Sequence, residues 1–95
     1  MRPMNRIPTH PGEILLEEFL RPLGISSSGF AKHIGVPASR ISEVVRGQRG
    51  ITPEMAWLFA QALGTTPEFW LNLQNAHNSS KAQPKRQIAR LQVAA

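Results

Sequence analysis

Apolar residues recur at helical spacing along most of the chain, and proline and glycine divide them into five segments. The first segment starts at Pro11, because a first helical turn tolerates proline, and it ends at Pro22 and Gly24. Its apolar residues are Ile14, Leu15, Phe19 and Leu23. No segment alternates between apolar and polar residues as a strand does, so the pattern predicts an all-α fold.

The second and third segments are joined by only three residues, Gly35 to Pro37. Ser26 caps the second segment, which is expected to bury Phe30, Ala31 and Ile34. The third segment runs from about Ala38 to Arg46, and Gly47 follows its end. A link this short forces a sharp crossing of the two helices. The spacing therefore predicts a helix-turn-helix over about residues 26–47.

The fourth and fifth segments both open with Thr-Pro-Glu, which combines a cap, a first-turn proline and an acid at the positive end of the helix dipole. The fourth runs to Leu63 and the fifth to about His77. Because the fourth is apolar almost all round, it is expected to be the buried centre of a bundle. The two tryptophans, Trp57 and Trp70, are interpreted as packing residues.

The predicted organisation is one five-helix domain over residues 1–78, followed by a basic tail over residues 79–95. Few large apolar residues occur in the tail. Ile88, Leu91 and Gln92 fit one face of a short helix, and disorder of the isolated tail fits the composition equally well.

Charge is unevenly distributed along the chain. Residues 1–20 carry a net charge of −1 and residues 52–78 carry −2, whereas residues 21–51 and residues 79–95 each carry +4. A localised basic block indicates a polyanionic partner such as DNA. Solubility alone explains the same charge, so both interpretations stay open on composition.

Several classes of function are disfavoured by what the chain lacks. It has no cysteine, so it forms neither a disulfide nor a thiolate zinc site. His10, His33 and His77 fall on three separate predicted helices without ligand spacing, and no metal or other cofactor is expected. No catalytic constellation is found, so we predict no enzyme. Neither a signal-like run at the N-terminus nor a stretch able to span a membrane occurs, and a cytoplasmic protein is expected.

The third helix is predicted to have two different faces. Ile41, Val44 and Val45 form a buried stripe, and short polar side chains with flanking arginines point the other way. Such a face suits a helix in the major groove, where small side chains approach base edges and arginines reach phosphates. The predicted DNA-contacting residues are Ser27, Ala38, Ser39, Arg40, Ser42, Glu43, Arg46 and Arg49.

Individual roles follow from position. Arg40 and Arg46 are the main expected DNA contacts, and Arg49 in the following loop is placed to touch a phosphate. Ser27 opens the second helix, whose positive end can hold a phosphate. Glu43 either accepts a hydrogen bond from cytosine or pairs with Arg40 or Arg46.

Four stretches of the chain form a recognisable pattern: His10-Pro11-Gly12-Glu13-Ile14-Leu15, Pro22-Leu23-Gly24-Ile25-Ser26, Arg49-Gly50-Ile51-Thr52-Pro53-Glu54 and Thr66-Pro67-Glu68-Phe69-Trp70. With these stretches the chain resembles HigA-type antitoxins, also called the VapI group, over about Ile7 to Gln74. The resemblance implies a Cro/C1-type helix-turn-helix dimer that represses its own operon and neutralises a HigB-type toxin, a RelE-like ribonuclease that cuts translated mRNA. The chain departs from the group at Gly29, where a capping acid is common, and at Pro37, where a hydroxyl is usual.

Two alternatives remain beside the antitoxin: a stand-alone Cro/C1-type repressor without a toxin partner, and a protein-interaction module with a vestigial helix-turn-helix. For the antitoxin, Phe69, Trp70 and Leu73 are expected to form a twofold interface. A homodimer would place two recognition helices about 34 Å apart on a palindromic operator. The toxin is expected to meet either the acidic side of the first helix or the N-terminal arm, Met1 to Thr9.

Overall fold

A computed structural model describes residues 9–92 of the 95-residue chain, and within that range it contains five helices and no strand. Helix α1 is a continuous run made of Pro11–Ile14, a π-helical segment Leu15–Leu20 and Arg21–Leu23. The other helices are α2 (Ser27–Ile34), α3 (Ala38–Val45), α4 (Pro53–Leu63) and α5 (Pro67–Lys81). The predicted all-α, five-helix fold is confirmed.

The predicted helix starts are confirmed by their hydrogen bonds. Ser26 Oγ accepts a bond from the Gly29 amide at 3.0 Å. The Thr52 and Thr66 hydroxyls accept from amides three residues on, at 3.2 and 3.1 Å. Each hydroxyl satisfies an amide that has no partner inside its helix, which stabilises the helix by about 1 kcal/mol.

The π-helical segment of α1 changes which residues the helix buries. Pro22 lies inside the helix rather than at its end, and the Arg21 amide bonds to the Leu16 carbonyl five residues back. A wider turn just before a proline relieves the clash of its ring with the preceding turn. The extra residue also rotates the helix that follows, so Leu20 is fully buried whereas Leu23 is 65% exposed. The expectation that Leu23 continues the apolar face is therefore wrong.

The core is built around Trp70, which has no exposed surface. Its indole N–H donates to Thr65 Oγ1 at 2.7 Å, so burial leaves no polar atom unpaired. Its ring packs edge-on against Phe59 at a centroid distance of 5.2 Å, and Phe59 packs on Phe30 at 5.4 Å. Apolar residues from all five helices complete this cluster, including Leu15, Leu20, Ala31, Ile41, Val44, Met55 and Ala56.

Two expectations about α4 and α5 need correction. Trp57 is not a core residue, because 58% of it is exposed on α4. Helix α5 continues past His77 to Lys81, so the first three residues of the predicted tail are helical. Residues 83–92 contain no helix, and Ile88 and Leu91 are largely exposed. Among the described helices none is long and apolar enough to cross a membrane.

Candidate nucleic-acid interface

The turn between α2 and α3 has the geometry that the sequence predicts. Gly35 ends α2 with a φ of 77°, and its amide bonds to the carbonyls of Ala31 and Lys32. The Val36 amide bonds to the Ala31 carbonyl at 3.0 Å. A residue with a side chain is strained at such a positive φ, so glycine is the residue this turn requires. The reversal brings α3 across α2 next to the buried Ala31.

Helix α3 presents one apolar face to the core and one polar face outward. Ile41 and Val44 are fully buried, and Val45 is half-buried. On the other side Ala38, Ser39 and Arg46 are exposed, and Arg40, Ser42 and Glu43 are half-buried. The structure therefore brings these six predicted contact residues to one surface, which we call the α3 face.

Hydrogen bonds hold the side chain of Arg46 along α3. Its Nη2 donates to Ser42 Oγ at 2.5 Å, and its Nε approaches the Ser42 carbonyl at 3.4 Å. The hydroxyl one turn back thus orients the guanidinium on the surface. Since this pairing is with a neutral group, the full positive charge of Arg46 is available to an anion.

Glu43 pairs with Arg49 rather than with Arg40 or Arg46. Arg49 Nε donates to Glu43 Oε1 at 2.8 Å, and the side chains are 47% and 39% exposed. The expectation of an intrahelical partner is therefore wrong, because the loop after α3 folds back over the helix. Exposed pairs of this kind contribute at most about 1 kcal/mol, so a stronger anionic ligand can displace the carboxylate.

Arg40 and Arg49 also line a cleft of about 370 Å³ at the start of α4. The cleft includes Thr52, Pro53 and Glu54, the first residues of that helix. Two guanidinium groups and the positive end of the α4 dipole favour an anion here, whereas Glu54 opposes it. The predicted phosphate contact at Arg49 is thus next to the α3 face.

The two departures from the HigA-type pattern are visible in the structure. Pro37 occupies the cap position of α3 and forms no side-chain hydrogen bond there. Gly29 still donates its amide to Ser26, so α2 keeps its cap without the acidic partner of a capping box. Ser27 begins α2 and is half-buried. Helix α2 can therefore offer amides to a phosphate, while α3 lacks the hydroxyl usual at position 37.

Two contacts that position α3 were not identified from the sequence. Gly12 lies so close to α3 that a Cβ on it would be 1.8 Å from the Val44 carbonyl oxygen. Gln74 is buried, and its Oε1 accepts from the Ile51 amide at 2.8 Å while its Nε2 donates to Asn78 Oδ1 at 2.9 Å. The first contact fixes α3 against α1, and the second fixes the loop after α3 against α5.

The predicted interface residues of α5 have different environments. Trp70 is fully buried within the protomer, so its assignment to a dimer interface is wrong. Phe69 is 39% exposed, and its ring packs against Trp70 at 5.0 Å and Phe19 at 6.3 Å. Leu73 is half-buried. Phe69 and Leu73 therefore remain as surface residues available to a second copy.

Two of the three histidines lie together, contrary to expectation. The rings of His10 and His77 meet edge to face with centroids 5.0 Å apart, whereas His33 lies on α2. His10 caps α1, because its Nδ1 accepts the Gly12 amide at 2.9 Å. Burial first, then the charges of His77 and Lys81, lower the pKa of His10 from its ordinary value. Within residues 9–92 no three potential metal ligands cluster.

Comparisons with known proteins agree with this geometry. Residues 16–70, more than half of the chain, match the helix-turn-helix family. The chain is 44% identical over 84 residues to virulence-associated protein I of Dichelobacter nodosus, a match that covers 87% of this chain and 78% of that protein. It is 45% identical over 76 residues to antitoxin HigA-1 of Vibrio cholerae, covering 80% and 71% of the two chains.

A solved structure shows the same fold. That of the Pseudomonas aeruginosa antitoxin HigA with the higBA promoter has a TM-score of 0.77 and 40% identity to this chain, and the match covers 79% of this chain and 82% of that one. Identity at this level over most of both chains goes beyond a shared fold. The chain therefore belongs to the helix-turn-helix family and, within it, to the HigA antitoxins.

Proposed function

We propose that this protein is a cytoplasmic antitoxin that binds DNA as a homodimer, represses its own operon and neutralises a HigB-type toxin. The proposed DNA binding rests on the α3 face. There, polar side chains and two arginines project outward from a helix whose opposite side is buried in the core. The solved HigA with its promoter supports the same role by similarity. The role requires binding alone and no catalytic group.

On DNA, Ser39, Ser42 and Glu43 would meet base edges while the arginines contact bases or phosphates. The cleft shared by Arg40 and Arg49 would receive a backbone phosphate beside the start of α4. This contact would replace the bond between Glu43 and Arg49, which frees the carboxylate to accept from a cytosine amino group. Ser27 and Ala38 would approach the backbone from the starts of α2 and α3.

The arginine variants test this assignment. In the protein carrying both Arg40→Ala and Arg46→Ala, we expect weaker binding to the promoter of the protein's own operon and an unchanged far-UV helical signal. A lost phosphate contact lowers affinity for every sequence and reduces the salt slope by about one per protomer, whereas a lost base contact costs about 1–3 kcal/mol and relaxes specificity. Unchanged promoter affinity in the double variant would exclude the α3 face.

The proposed homodimer uses the surface around Phe69 and Leu73 on α5. A twofold axis there would present two α3 helices to successive major grooves, about 34 Å apart, and so select a palindromic operator. Sedimentation should show a dimer at tens of micromolar protein, and Leu73→Asp should give a monomer with a retained helical signal. A wild-type monomer under these conditions, with or without DNA, would contradict the proposed dimer.

The proposed toxin surface is the acidic side of α1. Glu13, Glu17 and Glu18 are exposed there, and Glu17 pairs with Arg21 at 3.2 Å. The alternative surface, the arm Met1 to Thr9, lies almost entirely outside the described residues. Co-purification with the product of an adjacent small gene tests the partnership, and changing the three acids to lysine tests the surface. If the wild-type chain captures no such product, the stand-alone repressor remains.

A further inference from the structure

A second cleft, of about 540 Å³, lies between the loop that follows α3 and the last turns of α5. It is lined by four basic or titratable side chains: His10, Arg49, His77 and Lys81. Three side-chain amides complete its polar wall: Gln48, Gln74 and Asn78. None of the described lining residues is acidic, and residues 1–8 include no acid in the sequence. The cleft is thus an electropositive surface, although one of its cations, Arg49, pairs with the Glu43 carboxylate at 2.8 Å.

His10 presents a fixed hydrogen-bonding state at this cleft. Because its Nδ1 accepts the Gly12 amide at 2.9 Å, the proton of the neutral ring is assigned to Nε2. Its Nε2 therefore acts as a donor without the ring having to take up a proton. A donor that needs no charge is suited to an anion at neutral pH.

The charged groups around the two histidines repel one another. The ring of His10, at the start of α1, meets the ring of His77 on α5, and Lys81 lies four residues further along α5 in the same cleft. The lowered pKa of His10 is consistent with this surplus of positive charge, although burial is its largest cause. An anion in the cleft would relieve the repulsion.

The cleft is continuous with the proposed DNA surface. Arg49 lines both this cleft and the smaller one that it shares with Arg40. Gly47 lies two residues after α3, and a Cβ placed on it would be 3.9 Å from the His10 ring. A DNA backbone that follows the loop beyond α3 would thus come next to Lys81.

We propose that this cleft binds a phosphate group, with Lys81 and the Nε2 of His10 as its donors. Either the DNA backbone or a free phosphate ion can supply that group, and the DNA source rests on the function proposed above.

The first test compares two lysine variants of the full chain. Lys81→Ala removes a charge from the cleft, and Lys85→Ala removes the same charge four residues further on, outside it. Each lost phosphate contact lowers the salt slope by about 0.9, which corresponds to about an eightfold loss of affinity per protomer at 0.1 M salt. We expect this loss with Lys81→Ala and a clearly smaller one with Lys85→Ala, at equal melting temperatures.

The second test follows the imidazole resonances of His10 and His77 by NMR, with His77→Gln for assignment. The wild-type protein is titrated at constant pH with an operator duplex and, separately, with inorganic phosphate at matched ionic strength. A shift of the imidazole resonances with duplex identifies the DNA backbone as the source, and a shift with inorganic phosphate alone identifies the free ion. Either result supports a phosphate site.

The outcomes separate this proposal from the proposed function. If the wild-type protein binds the duplex, but both lysine variants weaken it equally and neither titrant moves the histidine resonances, the cleft is not a phosphate site and DNA binding stands. If the wild-type protein does not bind the duplex, the proposed function fails. In that case the inorganic phosphate titration alone tests the proposed phosphate site, and unshifted histidine resonances would overturn that site.

Discussion

Replacing Gly12 with alanine should destabilise the protein through its contact with α3. A Cβ at this position would lie 1.8 Å from the Val44 carbonyl oxygen and 2.6 Å from its carbonyl carbon. Both atoms belong to the backbone of the helix that carries the α3 face, so no side-chain rotation relieves the overlap. The start of α1 must instead move away from α3 by more than about 1 Å.

The expected cost follows from two opposing effects. Overpacking a well-packed site costs about 1–3 kcal/mol, and a backbone clash belongs at the upper end of that range. Alanine has a higher helix propensity than glycine by up to about 1 kcal/mol, which offsets part of the cost. The net loss should be about 2 kcal/mol, which lowers the melting temperature of a domain of this size by about 8–16 °C.

Urea and thermal unfolding followed by far-UV circular dichroism measure this loss. Gly29→Ala is the matched control, because it adds the same methyl group to the first turn of α2. Its Cβ would meet only the side chains of Ser26 and Ile25, at 3.1 and 3.3 Å. We expect that variant to stay within about 1 kcal/mol of the wild type. Equal stability of Gly12→Ala and Gly29→Ala would refute the close approach of α1 to α3.

Three further predictions concern single residues. Trp70→Ala should cost about 3–5 kcal/mol in unfolding experiments and Trp57→Ala less than about 1, because only Trp70 is buried; equal costs would contradict the assigned core. Gln74→Met should cost about 1–3 kcal/mol, since the buried Ile51 amide loses its acceptor, whereas the exposed Gln61→Met should change little. The lowered pKa means that His10 binds a proton less readily in the folded chain than in the unfolded chain, so its contribution to stability is present above about pH 6.5 and is lost as the pH falls below that value. Thermal unfolding measured against pH should show this loss, and His10→Asn should reduce it.

Features with a local cause could be predicted from the sequence. Ser26, Thr52 and Thr66 each act within three residues of their own position, so their caps follow from short patterns. The turn at Gly35 follows likewise from the length of the link between two helical patterns. These local elements fix the helix-turn-helix and hence the α3 face.

Features that depend on how distant segments meet could not be predicted. His10 and His77 are 67 positions apart and come together only because the start of α1 lies beside the last turns of α5. Glu43 pairs with Arg49 because the loop reverses after α3, which helical spacing does not describe. The exposure of Trp57 depends on which side of an almost uniformly apolar helix faces the bundle. Periodicity is uninformative there, since every face looks like a core face.

A specificity ratio tests most directly whether the α3 face recognises a particular DNA sequence. The affinity of the full-length chain for its own promoter is compared with that for a scrambled duplex of equal length and composition, by fluorescence anisotropy at 0.15 M salt. We predict a ratio of at least about 10³, as sequence-specific proteins show, and a much smaller ratio for the protein with Arg40→Ala and Arg46→Ala. A ratio near one for the wild-type chain, or the same ratio for both proteins, would contradict sequence recognition by α3.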